Sequence, residues 1–144
     1  MSAPDFYFAV NAIFRHIHDC YGRESLIAYW RGLGEEYYRR RVERWKAGGP
    51  QALAADWREY FAAEPQAEVE VAVADGGVEL DVKVCPAIKH LRDQGREIVP
   101  YFCEHCDHVG GAMAEAAGYR FQRQGGSGSC RQQFLPSPPI KESD

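Results

Sequence analysis

The groups most able to do chemistry crowd into residues 100–113, "PYFCEHCDHVGGAM". Cys103, His105, Cys106 and His108 fall within six positions, with Asp107 among them. Two thiols three residues apart share a face wherever the chain is helical. Thiolates at that spacing can grip one metal ion, or one of them can act as a nucleophile. In a helix, His105 points away from the face of Cys103 and Cys106, and His108 also lies off it. The four side chains therefore do not bind one ion together.

Two more cysteines complete a pattern C-x17-C-x2-C-x23-C, from Cys85 through Cys103 and Cys106 to Cys130. Four thiolates suit tetrahedral zinc or an iron–sulfur cluster. A histidine, His105 or His108, can replace one of them. The plainer reading is that Cys85 and Cys130 are small buried apolar residues, as free cysteines often are. A redox C-x-x-C is disfavoured, because the parallel βαβ setting it needs is absent. Asp107 and His108 are left as candidates for moving protons at the rim of the site.

These groups need elements to place them. In residues 5–21 apolar side chains from Phe6 to Tyr21 recur at three and four, which predicts a helix with Asp5 as N-cap. A second helix is expected over 24–47, stopping at Gly48-Gly49, and a third from Pro50 to Pro65. The period then changes to two. Glu68 to Ala74 and Val78 to Val84 alternate around Asp75-Gly76-Gly77, a β-hairpin with one buried face. A short helix is expected from Pro86 to Leu91, another over 101–117 up to Gly118, then one or two strands around a glycine turn at 125–129. The predicted fold is α+β: N-terminal helices packed on a small antiparallel sheet, with one or two inserted helices carrying cysteines. Residues 1–135 form the single domain, and 136–144 read as a flexible tail.

Cys85-Pro86, the "FCEHCD" segment at 102–107, and the glycine turn leading to Cys130-x-x-x-Phe134 resemble the L-2-amino-thiazoline-4-carboxylic acid hydrolase family. The order of features is similar too. More distantly, the layout looks like vinyl-reductase-class ligand-binding domains, which hold zinc with late cysteines beside a small-molecule pocket. The resemblance implies a hydrolase that opens a cyclic thiazoline amidine to an N-carbamoyl cysteine. Either zinc-bound water, with a pKa lowered to about 7, or a cysteine activated by a histidine or a helix N-terminus can attack the carbon between nitrogen and sulfur. A closed shell of four thiolates would instead make the chain a metal-stapled binding or sensor domain.

Composition bounds the rest. The chain has 144 residues, 45% hydrophobic, with a formal charge of -4. A chain of this size buries roughly 68–70% of its unfolded surface and needs no disulfide. The acidic balance argues against a nucleic-acid partner. No apolar run approaches the length of a membrane span. Five cysteines without a signal-peptide pattern point to the reducing cytoplasm.

Other residues carry ordinary expectations. His16 and His18 belong to the surface or a pocket edge, Cys20 to packing, and His90 to an exposed helix face. The arginines of "YYRRRVERWK" form a solvated face, from which one can still reach a substrate carboxylate. Trp30, Trp45, Trp57, Tyr37 and Tyr60 follow helical spacing and belong to the core. "GGSGS" at 125–129 is a turn or flap.

Overall fold

The structure is a computed structural model that describes residues 3–138. Helices α1 (Ala3–Tyr21), α2 (Arg23–Gly32) and α3 (Arg39–Ala62) come first. The hairpin β1 (Glu68–Ala74) and β2 (Gly77–Val84) follows, then α4 (Pro86–Asp93), α5 (Glu104–Ala117), β3 (Tyr119–Gly126) and β4 (Ser129–Pro136). The four strands form one antiparallel sheet in the order β1-β2-β4-β3. The fold is α+β, with helices packed on that sheet. No helix among the described residues is long and apolar enough to cross a membrane.

The expected second helix is split. Between α2 and α3 the backbone widens into a π-helical turn, Leu33–Tyr37. The cause is a close helix crossing. A Cβ on Gly34 would stand 2.6 Å from the Val109 carbonyl and 2.8 Å from Ala112 Cβ on α5. The expected stop at Gly49 is real, but α3 resumes at once. Gly49 takes a left-handed φ of 70° and Pro50 restarts the helix, so the axis kinks there. The helix over 101–117 begins later than expected. Residues 101–103 are a turn, and Cys103 is the N-cap of α5. Strand β4 runs to Pro136, one residue past the expected domain end. Residues 139–144 of the expected tail lie outside the described residues.

Two cores hold the molecule together. One joins α3, α5 and the sheet through Trp45, Leu53, Leu80, Met113 and Phe134. The other joins α1, α2, α4 and the segment before α5 through Phe14, Leu26, Trp30, Leu91 and Phe102. Cys85 and Val109 pack against both, so they mark the seam. Buried Asn11 of α1 ties the α4–α5 segment down. Its amide donates to the Glu97 carbonyl at 2.8 Å, and its oxygen accepts the Val99 N–H at 3.1 Å. Among the aromatics assigned to the core, Trp30 and Trp45 are fully buried, but Tyr37 is largely exposed.

Candidate functional site

Strand alternation builds the floor of the site. Val78, Leu80 and Val82 of β2 point into the core, and β4 sets Phe134, Gln132 and Cys130 opposite them. β3 adds Phe121, Arg123 and Gly125 in the same rows. The inner face of the sheet therefore changes from Phe134 and Phe121 to Gln132 and Arg123, then to Cys130 and Gly125. A polar row at inward-facing positions costs desolvation unless it is paired.

The partner is α5. Arg123 Nε and Nη2 donate to the two carboxylate oxygens of Asp107 at 2.8 and 2.9 Å. A third donation goes from Arg123 Nη1 to the Gly125 carbonyl. This bidentate pair fixes α5 on β3, with Arg123 only 17% exposed. Asp107 is thus a structural counter-ion here, with both oxygens engaged. His108 turns the other way and stacks on Trp30, ring centroids 5.6 Å apart.

His105, which helical spacing set aside, touches the Cys106 thiol. Its Nδ1 faces the Phe102 carbonyl, which can only accept, so Nδ1 carries the proton. Nε2 is then the lone-pair nitrogen, and it lies 3.5 Å from Cys106 Sγ. The ring packs against Phe14 and Phe102. Burial lowers the imidazole pKa from its ordinary 6.5, with the Phe102 carbonyl working against that. Burial likewise pushes Cys106 up to about 11, opposed by the positive charge of Arg123 and the amide of Gln132. At neutral pH this is a neutral thiol facing a neutral, orientation-locked base.

All five cysteines are free thiols. Cys85 packs against both cores, Cys130 against the first and Cys103 against the second. Cys85 N-caps α4 and feels the charge of Cys106 and Cys103. Cys130 feels Cys106 and Cys85, and Gln132 Nε2 donates to its sulfur at 3.6 Å. Burial raises Cys85, and it pushes Cys130 up to about 11. Four thiols are the right donors for zinc in kind. Among the described residues no group of three His, Cys, Asp or Glu side chains is placed to hold an ion.

Two tyrosines approach from the helices above. The Tyr7 hydroxyl of α1 hydrogen-bonds Glu64 and lies within electrostatic reach of Cys85 and Tyr60. Tyr60 of α3 lies within reach of Cys106. Burial raises both phenols above their ordinary 10.0. Tyr60 is nevertheless 39% exposed, so its ring reaches solvent while its hydroxyl sits in a low dielectric.

The remaining candidates fall elsewhere. Cys20 is exposed rather than packed, its sulfur 3.7 Å from His16 Nδ1. His18 stacks on Tyr101, and half-buried His90 lies against Tyr7. Arg41 leaves the solvated face: its Nε donates to Asp56 at 2.8 Å, and its guanidinium lies over Tyr38, Trp45, Trp57 and Tyr60. Sequence reasoning missed Arg123, Gln132, Tyr7 and Glu64. The available signal was parity: Arg123 and Gln132 stand two residues from Phe121 and Phe134 in alternating strands.

Neither a protein-family model nor a curated protein matches this chain.

Proposed function

We propose that this protein is a hydrolase that opens a small heterocycle containing sulfur and nitrogen, with Cys106 as nucleophile and His105 as general base. The observation that carries this reading is the Cys106–His105 pair, with the imidazole tautomer set by the Phe102 carbonyl. That is nucleophile, base and orienting group in order. The resemblance to the thiazoline hydrolases supplies the substrate class.

The steps balance as follows. His105 Nε2 takes the Cys106 proton while Sγ attacks the ring carbon bonded to nitrogen and sulfur. The tetrahedral adduct breaks its ring C–S bond, and the departing sulfur receives the proton from Nε2. An isothiourea joined to Sγ remains. Water, deprotonated by the same Nε2, attacks that carbon, and Cys106 leaves as the thiol. The net reaction adds one water and yields a urea and a free thiol. Arg123 lies near Cys106 and favours the developing thiolate, with its partner Asp107 opposing it. Free cysteines at the site suit a reducing compartment, and we place the protein in the cytoplasm.

A second reading is a ligand-binding domain stapled by zinc or an iron–sulfur cluster on Cys85, Cys103, Cys106 and Cys130. What favours it is the electrostatic reach between thiols of three segments, Cys85 to Cys106 and Cys103, and Cys130 to Cys106 and Cys85. One set of measurements separates the two. Protein purified without oxygen is analysed for metal and sulfide, then incubated with a 2-aminothiazoline while new thiol is titrated. The hydrolase reading expects thiol release that is lost in Cys106→Ser and in His105→Gln, both remaining folded by circular dichroism. Stoichiometric metal with no thiol release would overturn it in favour of the staple.

A further inference from the structure

On the other side of Cys85 lies a recess of about 320 Å³, at the small end of ligand-sized cavities. Its floor is Val84 and Cys85. One wall is α4, with Lys89, Arg92 and Asp93, and the other is the β3–β4 turn, with Ser127, Gly128 and Ser129. The turn is pinned in place, because the Cys85 N–H donates to the Gly128 carbonyl at 2.9 Å. Gly128 has a φ of +113°, and a Cβ there would come 3.1 Å from Arg92 Nη1. The positive φ at Gly128 suits glycine, and the turn stands close to the Arg92 guanidinium.

The charges of this recess do not cancel. Lys89 Nζ bonds Asp93 at 2.9 Å, so that pair is neutral. Arg92 has no carboxylate within ion-pair distance among the described residues. An uncompensated guanidinium beside two serine hydroxyls supplies donors that call for acceptor oxygens carrying negative charge.

We infer that this recess is a binding site for a small molecule bearing a carboxylate or similar oxyanion, held by Arg92, Ser127 and Ser129 beside Cys85. The site is independent of the Cys106–His105 reading, since it uses neither residue and requires no turnover.

Cys85, a residue of its lining, provides the test. Iodoacetate carries a carboxylate, and iodoacetamide is its neutral counterpart; both alkylate cysteine by displacing iodide. Each reagent is applied to the intact protein, and the rate at Cys85 is read by peptide mass spectrometry, with exposed Cys20 as a clock. The baseline is the iodoacetate-to-iodoacetamide ratio at Cys85 in urea. In the folded protein that ratio should rise by about ten-fold, as charge-lined clefts raise local anion concentration. Sodium sulfate should suppress the rise, and Arg92→Gln should return the ratio to its baseline. Three results would each overturn the site: no rise over the urea baseline, a rise that survives Arg92→Gln, or no alkylation of Cys85 by either reagent while Cys20 is consumed.

Discussion

Cys106 Sγ and His105 Nε2 stand 3.5 Å apart, and burial shifts the two groups in opposite directions. Cys106 is raised from its ordinary 9.0 to about 11, so the folded state holds its proton where the unfolded chain has lost it. Stability from this thiol is therefore full below pH 9 and is lost as pH rises toward 11, by at most about 3 kcal/mol. His105 is shifted the other way. Its folded pKa lies below 6.5, so the unfolded chain binds the proton more readily. Stability from His105 is present above pH 6.5 and declines as pH falls through its folded value. Urea unfolding under reductant should show a plateau between pH 6.5 and 9 with losses on both sides. In Cys106→Ala the alkaline loss should be reduced; an unchanged alkaline limb would refute the assignment. The thiols themselves were legible in the sequence, because cysteine has few ordinary substitutes. The contact of His105 with Cys106 was not, because the helical wheel assumed a helix from 101. The turn at 101–103 moves Cys103 to the cap and lets His105 bend back onto Phe102.

At the scale of elements, the π-helical turn at Leu33–Tyr37 is where two helices meet at backbone distance. Gly34→Ala should force α2 away from α5, because the nearest obstacle is the Val109 carbonyl, which is backbone and cannot rotate aside. The expected cost is about 1–3 kcal/mol, seen as a lower urea midpoint with unchanged slope. Gly32→Ala, with open space around its Cβ, serves as the control and should be close to neutral. Most elements were readable from period alone: the hairpin over 68–84, the glycine stop at Gly118 and the proline start at Pro86 stand where patterning puts them. The split of the second helix was not readable. It depends on what packs against Gly34, and a residue 75 or more positions away is invisible to a local window.

For the whole molecule, the α+β class followed from helices first and strands later. The location of the site at the seam of two cores did not, since both cores are written in the same apolar alphabet. The strand order has a consequence for assembly. β1 with β2 and β3 with β4 are local hairpins, whereas β2 with β4 closes a loop that contains α4 and α5. Long closures are the slow events of folding. Val82 pairs with Cys130 across that closure, and Cys85 enters its neighbourhood by the same event. During refolding from urea, helical circular dichroism should therefore recover before Cys85 and Cys130 become resistant to pulsed alkylation. Thiol protection that appears together with the helices would mean the two hairpins join early. On the expected course, a chain emerging from synthesis has its helices before β2 meets β4, and its thiols stay open to the surroundings until the sheet is whole.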